Sequence, residues 1–407
     1  MTAADPGPAG RPGLRPAAVD PGPAGRPGLR PAAVAVRDIH SFLVDLGMDC
    51  DVNPCTAFVG AVEPGRVEDP GAWREFVSRL GLTRALADLV EVAEEDVVVT
   101  LDPRPGPAEG GPAELADLVT VYHNEHPLGI DEAVRLAYWR HTDGAYLLFV
   151  KFSHLIVDLT DVVELLRQIR AHLRGETPPG RIGSRYRHHA RTVEQYTALP
   201  AADPAEVTRA LGELPVPGRK GIPTISAAVE DWLPLREGVT FDELLSAVTG
   251  VLLPALGGGL VLQYPFSRWE FATKGGYYVE IKPLVVRPGP PSEYTPEYFA
   301  KTRQAQESLG RFTMSDLDSF ARAFTSGRMP RVVVSDTTFM RPEPDRWRWV
   351  PVRGARVFED LKFLADRSWP GPPLLRMQYK RGFLSPEAAA HVLDGLKQRI
   401  GASGATP

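Results

Sequence analysis

FVKFSHLIVDLTD, residues 149–161, decides the fold assigned to this chain. An apolar run ends at Ser153 and His154, three apolar residues follow, and Asp158 precedes the start of a predicted helix. A histidine at the end of a buried strand, with a carboxylate four residues later, places one imidazole in a tunnel and fixes the backbone around it. The stretch therefore predicts a strand, a loop and a helix, with His154 as a candidate for proton transfer.

A β-hairpin is predicted to lead into this stretch. VRLAYWR (134–140) and AYLLFVKF (145–152) are rich in aromatic and aliphatic residues, and an Asp-Gly pair lies in the turn between them. After the stretch, Asp161 and Glu164 have the spacing of a capping box, which predicts that a helix begins at Asp161. An apolar stripe at helical spacing predicts the buried face of that helix: Val162, Leu165, Leu166, Ile169 and Leu173.

The second half of the chain mixes helices and strands without a regular βαβ repeat. Thr240 and Glu243 form a capping-box pattern that predicts a helix over 241–256. Pro296 and Pro386 mark the first turns of two further helices. Strands are predicted at 259–266, 277–286, 331–339 and 374–382. This order predicts an α+β fold rather than a doubly wound sheet, and no glycine-rich phosphate loop follows a strand.

Residues 153–159 resemble the HHxxxDG motif of the condensation domains of nonribosomal peptide synthetases and their relatives, the CoA-dependent acyltransferases. His154 stands at the second His and Asp158 at the Asp, whereas Ser153 replaces the first His and Leu159 replaces the Gly. The resemblance covers roughly residues 110–402.

The resemblance continues in the second half of the chain. Arg268 stands at a Gly-Arg position, and Glu280 replaces the Asn of a Gly-x-Phe-x-Asn stretch. Lys282 replaces the first Leu of a Leu-Pro-Leu-Arg strand. Several motifs thus occur in the order expected for the family, although each one departs from its usual form.

The resemblance implies two chloramphenicol acetyltransferase-like lobes in a V arrangement with a central tunnel. We expect an N-terminal lobe at 36–182, a connection between lobes at 183–222 and a C-terminal lobe at 223–402, followed by a tail at 403–407. Residues 5–19 and 20–34 are identical copies of a Pro/Gly-rich string, so we expect disorder over 1–35.

The resemblance also assigns roles at the active site. His154 is the catalytic candidate, because an imidazole with an ordinary pKa of about 6.5 can take a proton from an attacking amine. A histidine after an apolar strand is otherwise more often a structural residue. Asp158 is expected to pair with Arg268 or Arg287, since a buried unpaired carboxylate is costly, and Ser153 takes the place of a loop-supporting histidine.

Four further residues are candidates for the tunnel wall: Leu159, Ser335, Trp269 and Tyr278. For Ser335 and its neighbour Asp336 two interpretations stay open. The pair either donates a hydrogen bond to an oxyanion or ends a strand as a cap. No metal site is expected, because His123 and His126 have no visible third ligand and one cysteine pair, Cys50 and Cys55, is not a complete zinc site.

The function implied is that of a free-standing condensation enzyme. It would transfer an acyl group from the phosphopantetheine thioester of an acyl or peptidyl carrier protein, or from CoA, to a small-molecule amine, with no bound cofactor. Two alternatives stay open: an ester-forming acyltransferase that uses an alcohol, and a non-catalytic docking module that recruits a tailoring enzyme.

Composition narrows the other possibilities. The chain has 407 residues, 43% of them hydrophobic, and a net charge of -5, which does not indicate a nucleic-acid partner. The short basic cluster at 185–191 is interpreted as a solvated face or a connection between lobes rather than as a phosphate site. No apolar run of about 20 residues and no signal-peptide pattern is found, so we expect a cytoplasmic monomer without a membrane span.

Overall fold

The computed structural model describes residues 53–141, 144–176, 186, 188–224, 226–268, 270–271, 274–276, 278–312, 317–338, 347–353, 356–367 and 372–402. The predicted disordered segment 1–35, the tail at 403–407, Cys50 and Trp269 lie outside these residues. No helix in the described ranges is long and apolar enough to cross a membrane.

The described part of the first half contains four strands and seven helices. Its strands are β1 (Cys55–Gly60), β2 (Val98–Ala108), β3 (Glu132–His141) and β4 (Tyr146–Phe152). Its helices are α1 (Pro64–Val67), α2 (Pro70–Leu80), α3 (Leu82–Val90), α4 (Pro112–Glu125), α5 (Leu159–Leu173), α6 (His189–Thr197) and α7 (Pro204–Leu211).

The second half supplies the remaining elements. Its strands are β5 (Ser226–Pro234), β6 (Leu260–Ser267), β7 (Val279–Val286), β8 (Val332–Asp336), β9 (Arg348–Val350), β10 (Arg356–Val357), β11 (Leu361–Asp366) and β12 (Leu374–Lys380). Its helices are α8 (Phe241–Leu256), α9 (Pro296–Glu307), α10 (Asp318–Thr325) and α11 (Pro386–Ile400).

The first sheet carries the predicted hairpin. Its strand order is β2-β3-β4-β1-β9, and β3 and β4 are antiparallel with Val134 opposite Phe152. Every residue of β4 is buried, because α4 packs on one face of the sheet and α2, α3 and α5 pack on the other. The hairpin prediction is confirmed, and it delivers the chain to His154 from the middle of a buried sheet.

The second sheet has seven strands in the order β10-β5-β12-β11-β8-β6-β7. Alternate residues of β12, Leu375, Met377 and Tyr379, face a core shared with α8 and α11. The predicted helix 241–256 is confirmed, and the Thr240 hydroxyl and the Glu243 carboxylate form its capping box. With the two sheets, the predicted α+β class is confirmed.

Two segments from the second half of the chain are built into the first lobe. Strand β9 pairs with β1, and Arg376 in the second sheet donates a hydrogen bond to the carbonyl of Val352, just after β9. Phe271 and Tyr278 are buried in the core of the first lobe. The prediction of one continuous C-terminal lobe over 223–402 is therefore too simple. Strand β9 belongs to the first sheet, and Phe271 and Tyr278 are buried in the core of the first lobe.

Candidate active site

His154 follows the last residues of β4 in a short, hydrogen-bonded loop. Its backbone N–H donates to the side-chain oxygen of Asn53 at 2.8 Å, and its Nδ1 lies 2.7 Å from the carbonyl oxygen of Val157. A carbonyl only accepts, so Nδ1 carries the proton in this contact. In the neutral ring the lone pair then resides on Nε2, the nitrogen that a general base uses.

Main-chain hydrogen bonds shape the loop around this imidazole. The N–H of Ser153 donates to the carbonyl of Ala133, and the carbonyl of Ser153 accepts from the N–H groups of Ile156 and Val157 at 3.2 and 3.1 Å. Within the described residues, the Ser153 hydroxyl makes no hydrogen bond. The backbone of Ser153 therefore supports the loop, and its side chain does not replace the expected histidine.

Asp158 ends the loop and starts helix α5. Its Oδ1 accepts from the N–H of Asp161 at 3.1 Å, which is the geometry of an N-cap. Leu159 is the first residue of the helix. The predicted cap at Asp161 is therefore wrong by three residues, since the Asp158 carboxylate satisfies the first turn before Asp161 is reached.

The predicted pairing of Asp158 with Arg268 or Arg287 is also wrong. Nε of Arg268 donates to Oε1 of Glu280 at 2.7 Å. The Arg287 guanidinium donates to the backbone carbonyls of Leu211 and Glu213 at the C-terminal end of α7. Arg268 thus pairs with Glu280 within the second half of the chain, and Arg287 joins the second half to the end of α7.

Glu280 is the centre of a buried charge cluster that sequence reasoning did not recognise. Its carboxylate bonds Arg268, lies 3.0 Å from Nζ of Lys282 and accepts from the N–H of Phe312 at 3.2 Å. Burial lowers the pKa of Lys282, whose ammonium also lies 3.7 Å from the ring centre of Phe312. Two departures from the family pattern, Glu280 and Lys282, are thus neighbours that compensate one another.

Asp161 is not the helix cap that the sequence predicts, and it has a different role in the structure. It is fully buried, and its Oδ2 accepts from the Tyr186 hydroxyl at 3.0 Å and from the N–H of Gly276 at 3.1 Å. Tyr186 belongs to the segment predicted to connect the lobes, and Gly276 precedes β7. The capping-box spacing singles out Asp161, but no local sequence pattern indicates its contacts with groups 25 and 115 residues away along the chain.

The candidates for the tunnel wall have different environments. Tyr278 is 2% exposed, its hydroxyl donates to the carbonyl of Gly275, and it packs in the core of the first lobe. Ser335 is buried on β8, on the face opposite the core residues Val332 and Val334. Asp336 accepts from the N–H of Thr338 at 2.8 Å, which favours the strand-end cap for this residue.

Other clusters are structural. The described residues contain no group of three side chains suited to hold a metal ion. Nδ1 of His126 contacts the carbonyl of Tyr122 at 3.0 Å, and its ring stacks on the Tyr122 ring. A cavity of about 280 Å³ lies in the second lobe beside Thr240, Asp336 and Arg367, and its lining does not include His154.

Comparison with known proteins agrees with this architecture. No protein-family profile and no curated protein matches the chain. Among solved structures, a mutant of the starter condensation domain of rhizomide synthetase RzmA, in complex with C8-CoA and Leu-SNAC, matches with a TM-score of 0.61 at 14% identity. That match covers 91% of this chain and 93% of that one.

Two further solved structures, one of a condensation domain and one of a whole synthetase, align similarly. The first condensation domain of the CDA synthetase matches with a TM-score of 0.57 at 15% identity, covering 93% of this chain and 98% of that one. The four-domain nonribosomal peptide synthetase holo-AB3403 matches with a TM-score of 0.62 at 14% identity, and the match covers 86% of this chain but only 31% of that one. The chain has the fold of the nonribosomal peptide synthetase condensation domains.

Proposed function

We propose that this protein is a condensation enzyme that transfers an acyl group from a thioester to an amine, with His154 as the general base. The observation that carries the proposal is the contact between Nδ1 of His154 and the carbonyl of Val157. This contact fixes the tautomer and the ring orientation, which are the two properties that a base must have before substrate arrives.

The chemistry follows from that geometry. Nε2 takes a proton from the attacking amine as its nitrogen forms a bond to the thioester carbonyl carbon. The tetrahedral intermediate then collapses, the C–S bond breaks, and the proton passes to the leaving thiolate. General base catalysis of this kind contributes about 10²–10⁴-fold to the rate, and binding both substrates together supplies proximity.

The substrates are proposed from the resemblance and from the comparison. The rhizomide synthetase domain was crystallised with C8-CoA and Leu-SNAC, one a CoA thioester and the other an aminoacyl thioester. We propose an acyl donor on the phosphopantetheine of a carrier protein or on CoA, and a small-molecule amine as acceptor.

The test is a direct transfer assay with His154→Ala. The wild-type protein is mixed with a panel of acyl-carrier and acyl-CoA donors and with amine or alcohol acceptors, and product is measured by mass spectrometry. We expect the variant to lose about 10²–10⁴-fold in turnover while its circular dichroism and carrier binding stay unchanged. His188→Ala, which changes an exposed histidine outside the site, is the matched control.

Wild-type turnover in the His154→Ala variant would refute the assignment of the base. A second candidate function, docking of a tailoring enzyme, is favoured by one observation: Ser153, which replaces the first histidine of the motif, makes no side-chain hydrogen bond within the described residues. Absence of turnover across the whole panel, together with carrier-dependent capture of a defined oxygenase, would support docking instead.

A further inference from the structure

We propose that Asp161 is a positioning residue that holds the His154 loop in register with the second half of the chain. The proposal rests on the proposed function, because it assigns to Asp161 the alignment of the base with the backbone that leads into β7. It does not make Asp161 a catalytic residue, since the contacts of its carboxylate are to protein groups.

A continuous series of short contacts links the imidazole to the second half of the chain. Nδ1 of His154 bonds the carbonyl of Val157, and the next residue, Asp158, bonds the N–H of Asp161. Oδ2 of Asp161 then accepts from the N–H of Gly276 at 3.1 Å. The imidazole is thus separated from Gly276 by three hydrogen bonds and short, ordered backbone.

The environment of Asp161 stabilises a carboxylate. The residue is 0% exposed, and it lies in the first turn of α5, where the helix dipole favours negative charge. Its second donor, the Tyr186 hydroxyl, stays protonated because burial raises the tyrosine pKa well above its usual value, and nearby Asp161 acts in the same direction. Tyr186 therefore donates, and does not compete as an anion.

We call the contacts of Asp161 with Tyr186 and Gly276 the joint. Two glycines at the joint, Gly275 and Gly276, let the backbone approach the buried tyrosines closely. A Cβ on Gly275 would lie 2.8 Å from the Tyr186 ring, and a Cβ on Gly276 would lie 2.7 Å from the Tyr278 hydroxyl. Gly276 also has a φ of +134°, a conformation that favours glycine. The backbone at 275–276 thus passes directly beneath two buried tyrosines and presents one N–H to Asp161.

This joint matters for transfer because β7 begins three residues after Gly276. Relaxation of the Asp161 contact would let the His154 loop and the backbone that leads through Gly276 into β7 move relative to each other. Displacement of a reacting group by about 1 Å costs on the order of 10²-fold in rate. A positioning role therefore predicts a loss in kcat with little change in the KM of the donor.

The experiment compares Asp161→Ala, which removes the accepting oxygen, with Tyr186→Phe and with a control, Asp242→Ala. Asp242 pairs with Arg303 in the second lobe, away from the joint. Two quantities are measured on each purified full-length protein: kcat and KM for transfer, and hydrogen–deuterium exchange in peptides that cover 274–276. The second quantity does not depend on activity.

We expect Asp161→Ala to lower kcat at least about tenfold with the donor KM changed less than about twofold, and to speed exchange at 274–276. Tyr186→Phe, which removes one of the two donors, should give a smaller change of both kinds, and Asp242→Ala neither. Faster exchange with unchanged kcat would show a joint that is structural only, and unchanged exchange would show that the joint does not exist. Either result overturns the proposal.

If the wild-type protein transfers no acyl group in the panel, the proposed function fails and the catalytic role of Asp161 fails with it. The exchange measurement then decides separately whether Asp161 joins the two halves. The two failures are therefore distinguishable.

Discussion

Glu280→Asn is expected to destabilise the protein although asparagine is the residue that the family resemblance has at this position. Glu280 is 0% exposed and accepts from Nε of Arg268 at 2.7 Å. Its other oxygen lies 3.0 Å from Nζ of Lys282, which is also 0% exposed. Asparagine is one methylene shorter and uncharged, so it supplies neither the reach nor the counter-charge.

The magnitude follows from the full burial of Lys282 and the partial burial of Arg268. Burial already lowers the pKa of Lys282, and the Glu280 carboxylate opposes that effect, so the ammonium depends on this neighbour. Removal of one partner from a buried ion pair costs about 3–5 kcal/mol, because the remaining charge is left without compensation. That is a large share of the about 5–15 kcal/mol by which a domain is stable.

A double-mutant cycle tests the physical cause. Lys282→Leu restores the family residue at the neighbouring position, and the double variant Glu280→Asn/Lys282→Leu removes the stranded ammonium. We expect the double variant to be more stable than the sum of the two single costs predicts by about 0.5–3 kcal/mol, which is the range of coupling energies between residues in contact. Glu68→Asn, which breaks an exposed pair with Arg140, should cost much less than Glu280→Asn.

The measurement is urea unfolding followed by tryptophan fluorescence and by circular dichroism, with the free energy of unfolding extrapolated to water. A cost below about 1 kcal/mol for Glu280→Asn would refute the argument, since the cluster would then behave as a surface pair does. Additivity of the two substitutions within about 0.5 kcal/mol would refute it as well, because coupling is what the geometry predicts.

Two further predictions concern the first lobe and its junction. Burial lowers the pKa of His189 to about 4 from 6.5. The unfolded chain therefore binds this proton first, and the free energy of unfolding should fall by up to about 1.4 kcal/mol per unit as the pH drops from 6.5 to 4. Urea titrations across that pH range should show that the free energy of unfolding falls less steeply for His189→Leu than for wild type. The fall should be unchanged for His188→Leu, which alters an exposed histidine. Equal slopes of free energy against pH in all three proteins would contradict the lowered pKa of His189. Gly60→Ala should lower the free energy of unfolding in urea by about 1–3 kcal/mol, because its Cβ would overlap the Trp347 ring. Gly65→Ala, which has open space around it, should cost far less. Equal costs for the two variants would contradict the overlap with Trp347.

The sequence predicted those features that depend on local pattern. The hairpin before His154, the capping box at Thr240 and the prolines that open α9 and α11 all lie where the structure has them. Each of these signals is complete within a few residues, because a turn or a cap satisfies its own hydrogen bonds.

The partners of buried charges were not predictable in the same way. Arg268 was expected at Asp158 and is found at Glu280, which lies twelve residues away along the chain in β7, the strand that pairs with β6. Asp161 contacts groups 25 and 115 residues away. Such contacts depend on how the two halves of the chain meet, and one sequence alone does not contain that geometry.

The difference between local and long-range contacts also bears on whether the altered motif, residues 153–159, still supports catalysis. Ser153 removes a side chain that could support the loop, yet the loop retains its shape through backbone hydrogen bonds to Ala133 and within residues 153–157. The Nδ1 contact of His154 is likewise to a backbone carbonyl. A loop that is held by its main chain tolerates the loss of a supporting histidine, provided that its ends are fixed. Asn53 fixes the entry to the loop and Asp158 the exit, so the substitution at Ser153 is by itself no argument that the proton-transfer geometry has been lost.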